Sequence, residues 1–419
     1  MFLEKEGKLI YSYDGETVCI EAWGKDALRV RATKNRSFTG RDWALEAKDA
    51  HAGEVEIFED PSAKGGAFAN MYEGTDTSYG KITNGKLHAV IDSGSVITFY
   101  HEDGRVLLKE HFRRLRDEES MPLNIMGREY SNGVGDNFRI VARFVARKGE
   151  KIFGMGQYQQ HELDLKGCML ELAQRNSQVS VPFYLSSIGY GFLWNNPGVG
   201  QVMFANNGTE WVTESGKEID YLVIAGDTPA EIEENYMTLT GKPPMMPEYG
   251  MGFWQCKLRY WNQEQLLSVA RKYKELGVPL DVIVVDFFHW TKQGEFKFDP
   301  KYWPDVPGMC RELKEMGIQV VVSVWPTVDI YSENFEEMKE KGYLVRTEHG
   351  VPLTMLCGGN EVFFDATNPD ARTYVWEKIK KNYYDQGAKL FWLDVAEPEY
   401  SVYAVSYTHL RATRHSLIS

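Results

Sequence analysis

The chain has 419 residues, with 60 acidic against 47 basic side chains and a net charge of −13. That length exceeds one ordinary core and suits two or three domains. The acidity, with no basic stripe, excludes a nucleic-acid backbone as partner. No apolar run reaches membrane-spanning length, so no membrane partner is expected.

The amino-terminal MFLEKEGKLIYSYDGE has neither a basic n-region nor an apolar h-region, which predicts no signal peptide. Cys19, Cys168, Cys256, Cys310 and Cys357 are scattered without metal or redox spacing. An odd, dispersed set suits a reducing cytoplasm. Aromatic residues make up 13% of the chain, including 11 Trp and 23 Tyr. Rings that stack on sugar faces and rings paired across the strands of a large sandwich explain that richness equally.

Residues 1 to about 240 read as all-β. Short apolar or alternating segments recur at Thr17–Ala22, Ala27–Ala32, His88–Ile91, Val96–Phe99, Phe138–Phe144, Gly191–Trp194, Gln201–Phe204 and Tyr221–Ile224. Asp14-Gly15, Asp103-Gly104 and Asn207-Gly208 supply turns. A helix is expected over Pro229–Thr240. The Pro-rich stretch 242–249 can continue neither a helix nor a central strand, so it is expected to link a sandwich over 1–241 to a second domain.

Beyond it, strands and helices alternate. Strands are expected at Gly250–Gln255, Asp281–Phe288, Gln319–Trp325 and Lys389–Asp394. Helices are expected over Gln263–Leu276, Gly308–Met316 and Glu333–Lys341, and from an Asn368 cap to about Asp385. This order predicts a parallel sheet with right-handed crossovers, open or closed into a barrel. No Gly-rich phosphate loop follows a strand, which disfavours a nucleotide fold. The last sixteen residues, 404–419, contain no acid and neither the helix nor the strand that the alternation demands. They are expected to be a non-native tail, with a disordered terminus as the alternative.

Three of the apolar strands run out into Asp286, Trp325 and Asp394. In a parallel barrel, strand C-termini share one rim and the site lies there. Carboxylates accept from paired hydroxyls and an indole covers an apolar sugar face, so this set suits a carbohydrate. The alternatives are loop-capping aspartates and a core tryptophan. The crowded Trp-x-Asp-x-x-Glu setting, Trp392 to Glu397, favours a functional Asp394.

These residues resemble glycoside hydrolase family 31, the retaining α-glycosidases, over roughly residues 145 to 403. The similar elements are Trp392-Leu393-Asp394-Val395-Ala396-Glu397, Val285-Asp286, and Gly252-Phe253-Trp254 leading to Tyr260. Further matches are Phe298-Asp299-Pro300, Trp303-Pro304-Asp305, Phe364-Asp365-Ala366-Thr367-Asn368-Pro369 and Gly154-Met155-Gly156-Gln157. The resemblance implies an N-terminal galactose-mutarotase-like β-sandwich and the first half of a (β/α)8 TIM barrel over 250–403, about four strands.

It further implies Asp394 as catalytic nucleophile and Asp286 as a carboxylate that binds sugar hydroxyls. Tyr260, Trp325 and Trp392 would be subsite walls and Glu397 a support for the nucleophile loop. Phe287 and Phe288 would narrow the pocket, with core packing an equal alternative for one of them because strand neighbours point to opposite faces. The substrate would be an oligosaccharide, with no metal or cofactor. Trp325-Pro326 and Asp394-Val395-Ala396-Glu397-Pro398-Glu399 look closer to the α-xylosidase branch than to starch-type glucosidases. α-Glucosidase, transglycosylase and non-catalytic carbohydrate binding stay open, as does a homo-oligomeric parent.

A retaining mechanism needs a second carboxyl group about 5–5.5 Å from the nucleophile. In the family that acid lies on a later strand, beyond residue 419. The polypeptide as written is therefore expected to be an inactive fragment, prone to aggregate through open strand edges.

Overall fold

Alternating apolar residues over the first part of the chain become three antiparallel sheets. The computed structural model describes residues 1–59, 78–111, 126–133, 135–346, 352, 354 and 360–397. The tail 404–419 and Cys357 lie outside them. The chain divides into two compact units, Met1–Pro243 and the residues from Pro244 onward.

In the first unit, the largest sheet runs in the order Phe2–Lys5, Lys8–Tyr13, Glu16–Trp23, Ala27–Thr33, Ile219–Ala225, Tyr190–Trp194, Val179–Ser186 and Ile152–Gln157, and Ala50–His51 adds to its third strand. A second sheet comprises Val106–Lys109, Ile97–His101, Leu87–Ile91, Ser78–Asn84 and Glu54–Glu59. The third comprises Arg128–Asn132, Phe138–Phe144, Gly208–Gly216, Gly200–Ala205 and Met169–Leu172. One apolar core draws on all three, with Ile20, Val30, Phe99, Phe144, Phe192, Trp211 and Tyr221 among its members.

The aromatic richness of this unit is largely core: Trp211 stacks on Phe192 and Trp194 with centroids 5.2 and 5.5 Å apart. Arg29 and Asp220 are buried together, with Nε 2.9 Å from Oδ1 and Nη2 2.7 Å from Oδ2. The helix Pro229–Thr240 forms as expected, with the Thr228 hydroxyl accepting from Glu231 N.

The strand Ile152–Gln157 gave no clear signal in the sequence. Gly154, Met155 and Gly156 all adopt positive φ, and its pairing slips between Gly154 and Gly156. A Cβ at Gly156 would sit 2.2 Å from the Val179 carbonyl oxygen, so the bulge requires glycine there.

The second unit holds a four-stranded parallel sheet in the order Trp254–Gln255, Val282–Val285, Gln319–Val324, Leu390–Leu393, termed the first to fourth barrel strands. The first is shorter than expected. Residues Glu248–Met251 coil into a 3-10 turn. Asp281 then holds the Phe253 amide at 2.9 Å. The second strand stops before Asp286, whose Oδ1 captures the Phe287 amide at 2.8 Å, and Phe288 turns to φ 58°.

Helices Gln263–Glu275, Val306–Glu315 and Pro369–Ile379 carry side-chain caps at Asn262, Asp305 and Asn368. A two-stranded antiparallel ribbon, Thr327–Asp329 with Glu361–Phe363, comes after the third barrel strand. At its base the Phe364 amide donates to the Pro326 carbonyl at 3.0 Å. Phe298 and Trp303 are buried with ring centroids 5.4 Å apart. Asp365 binds the Thr367 amide and hydroxyl at 2.9 and 2.6 Å. These motifs thus build structure rather than chemistry.

Candidate active site

The pleat of the parallel sheet decides which side chains reach its mouth. Ile283, Val285, Val320, Val322 and Val324 face one way, into a core shared with Leu266, Met309, Leu313 and Val375 of the helices. Val282, Val284, Val321 and Leu390 face the other way and pack together. Counting in twos along that second face leads to Asp286, Trp325 and Asp394 at the carboxyl ends of the second, third and fourth strands. The pairing register places Ser323 opposite Trp392, one step below the rim.

Hydrogen bonds and ring contacts bear this out. The Trp325 indole Nε1–H donates to Asp394 Oδ2 at 3.1 Å. The Asp394 amide continues the ladder to the Val324 carbonyl at 3.1 Å, and Val395 then leaves the strand at φ 57°. Around Trp325 stand Phe287, Phe288 and Trp290, with ring centroids 5.6, 6.1 and 5.8 Å away. Phe287 and Phe288 meet edge to face at 4.6 Å. Neither belongs to a buried core, because the strand ends before them and strand alternation no longer governs their direction. Phe288 is 50% exposed and Trp392 47% exposed.

Asp286 carries no ion pair among the described residues. Its Oδ1 accepts from the Phe287 amide, and its Oδ2 accepts from the Cys256 thiol at 3.4 Å. Its carbonyl accepts from His289 Nδ1 at 3.0 Å, and His289 Nε2 meets the Tyr383 hydroxyl at 2.9 Å. Burial drives the His289 pKa down to about 4. Arg259 lies over the Trp261 ring at 3.6 Å and donates to the Phe288 carbonyl at 3.5 Å.

No hydrogen bond or ring contact among the described residues joins Tyr260 or Glu397 to this group. Tyr260 is 3% exposed and belongs to the core of the second unit, and burial raises its hydroxyl pKa. Glu397 is half-buried, and its enclosed Oε2 has no hydrogen-bond partner among the described residues.

Sequence reasoning passed over Cys256, Arg259 and Trp290. Cys256 directly succeeds the first barrel strand, the same strand-end position that drew attention to the aspartates. No cluster of three His, Cys, Asp or Glu side chains among the described residues could hold a metal ion. No helix among them is long and apolar enough to cross a membrane.

Residues 243–416 match the model of the glycosyl hydrolases family 31 TIM-barrel domain, and residues 17–202 match the glycosyl hydrolase 31 N-terminal galactose mutarotase-like domain. An uncharacterized family 31 glucosidase of Pseudescherichia vulneris is 44% identical over 96% of this chain and 74% of its own length. Alpha-xylosidase A of Aspergillus niger is 31% identical over 91% of this chain and 52% of its own. A crystal structure of a family 31 alpha-xylosidase from a soil metagenome, complexed with xylose, is 49% identical with a TM-score of 0.86. That match covers 96% of this chain and 58% of the other, so the chain spans little more than half of the latter two proteins. A sandwich and a parallel sheet that each match a domain of one family, with near-complete coverage by a relative of that family, place this chain in glycosyl hydrolase family 31.

Proposed function

We propose that Asp394 is the nucleophile of a retaining α-glycosidase that releases a terminal α-linked sugar, α-xylose above all, from an oligosaccharide. The observation that carries this is the Trp325–Asp394 hydrogen bond, a carboxylate held at the mouth of a parallel sheet by an aromatic wall. An ionised carboxylate there can attack the anomeric carbon and form a glycosyl-enzyme that water later opens. Asp286, with one neutral donor on each oxygen, keeps lone pairs for sugar hydroxyls. Trp325 and Trp392 supply apolar faces, Tyr260 backs the wall from the core, and Glu397 stabilises the loop after Asp394.

Two features support xylose. Phe287 and Phe288 crowd the rim beside Trp325 and would leave little room for a hydroxymethyl group, and one small group changes binding by about 1–3 kcal/mol. The similar proteins from Aspergillus niger and the soil metagenome are named as alpha-xylosidases. The mechanism also requires a partner acid that protonates the leaving oxygen and then activates water.

A fluorinated α-xylosyl fluoride tests the nucleophile independently of any acid, because fluoride departs unprotonated. Mass spectrometry should find the sugar on the peptide containing Asp394, and Asp394→Asn should abolish the adduct. Attachment elsewhere, or none on a folded chain, overturns the assignment. Faster labelling by the glucosyl analogue would make the protein a glucosidase.

A further inference from the structure

Among the described residues no cation pairs with Asp286. Two neutral donors fix it instead. One, the Phe287 amide, is its own neighbour in the chain. The other comes from 30 residues earlier, where the Cys256 Sγ lies 3.4 Å from Oδ2. The thiol has one hydrogen and two acceptors in reach, and the carboxylate is both charged and closer than the Lys257 carbonyl at 3.6 Å. Its hydrogen therefore points to Asp286.

The rest of the same loop reinforces the arrangement. Arg259 donates to the Phe288 carbonyl at 3.5 Å and covers the Phe288 ring at 5.4 Å. The segment from Cys256 to Trp261 thus grips the turn Asp286–Phe288 at a side chain, a carbonyl and a ring.

We propose that Cys256 is a positioning residue: its S–H donates to Asp286 Oδ2 and sets the carboxylate to receive sugar hydroxyls. The assignment rests on the glycosidase reading for its purpose, but not for its geometry. A neutral donor holds the carboxylate without neutralising it. A lysine or arginine in the same place would compete with the sugar for the charge. The thiol is exposed, so a sugar bound on Asp286 would cover it.

The thiol itself reports the contact. Desolvation and the neighbouring Asp286 push its pKa up to about 12. The titratable groups facing it are Asp286 from the second barrel strand and Tyr260 from its own loop. Neutralising Asp286 should therefore free the thiolate. Each unit by which a thiol pKa falls gives about ten times more thiolate of about threefold lower nucleophilicity, a net gain of roughly threefold. Burial, the larger cause, stays in place, so release from Asp286 implies a gain of roughly threefold or more.

The experiment is carbamidomethylation of the whole chain with iodoacetamide at about pH 8, read by peptide mass mapping with Cys168 as internal standard. Asp286→Asn should alkylate Cys256 roughly threefold or more faster than the unsubstituted protein and leave Cys168 unchanged. The pH–rate profile of Cys256 should move to lower pH in step. An unchanged Cys256 rate and profile, with circular dichroism showing the variant folded, overturns the proposal. If Asp286→Asn unfolds the chain, Asp286→Glu serves, since a displaced carboxylate must also alter the profile.

A second arm adds D-xylose, which should slow Cys256 and not Cys168. Acceleration in Asp286→Asn without xylose protection keeps the positioning role and counts against a sugar site. Protection without acceleration does the reverse.

Discussion

His289 ties the turn after the second barrel strand to the π-helical turn Lys380–Tyr384: it bonds the Asp286 carbonyl on one side and the Tyr383 hydroxyl on the other. A carbonyl only accepts, so Nδ1 carries the hydrogen and Nε2 accepts from Tyr383. The imidazole is neutral and buried, with its pKa lowered from 6.5 to about 4. The unfolded chain therefore binds the extra proton first, between about pH 6.5 and 4. The stability that neutral His289 supports is complete above pH 6.5 and is lost as pH falls toward 4, up to about 3 kcal/mol. Urea unfolding tracked across that range should show the loss, and His289→Gln should flatten it. A slope equal in both proteins would assign the acid sensitivity elsewhere.

The indole N–H of Trp325 is the donor that orients Asp394. Trp325→Phe keeps a ring and removes the donor. A hydrogen bond to a charged group contributes about 1.5–3 kcal/mol, so labelling by the fluorinated xylosyl fluoride should slow by about ten- to a hundredfold. Labelling at the original rate would show that the bond does not act on the nucleophile.

Phe287 packs on Trp325 and Phe288 at the rim. Phe287→Ala removes a phenyl ring and opens more than enough space for a hydroxymethyl group. The ratio of glucosyl to xylosyl labelling should rise about tenfold, within the ~1–3 kcal/mol that one small group commands. A constant ratio would remove Phe287 from sugar selection.

In the first unit, Arg29 is wholly buried on Asp220 and donates also to Asp42 Oδ1 at 2.8 Å and the Arg41 carbonyl at 2.8 Å. Arg29→Leu strands the Asp220 carboxylate, which burial already pushes toward its neutral form. Removing one partner of such a pair costs about 3–5 kcal/mol. Denaturant titration of Arg29→Leu should show that loss, and Arg29→Leu with Asp220→Leu should recover part of it. Equal stability of the single variant and the parent would refute the role.

Sequence alone carried much of this architecture where burial is two-sided or strictly alternating. Val282–Val285 and Gln319–Val324 are apolar on both faces because helices cover one side and the sheet interior the other. Asp286, Trp325 and Asp394 were reached from those strands by position. The ribbon Thr327–Asp329 with Glu361–Phe363 was not, since its strands are short and about thirty residues apart, with no local turn between them. The bulged strand at Gly154–Gly156 hid behind three positive φ angles that no apolar pattern announces. Tyr260 was reached through the resemblance alone; that its ring packs into the second unit's core is not encoded in any local pattern. Cys256 and Arg259 gain meaning only from contacts with residues about thirty positions later, which local pattern cannot encode.

The bond from the Phe364 amide to the Pro326 carbonyl closes a long excursion one residue beyond Trp325. The described residues of that excursion do not hang free: Val328, Phe335, Met338, Leu344 and Val362 are buried in the second unit's core. A change of length there would disturb the foundation under Trp325 as well as the surroundings of the rim, because close-packed interiors transmit strain.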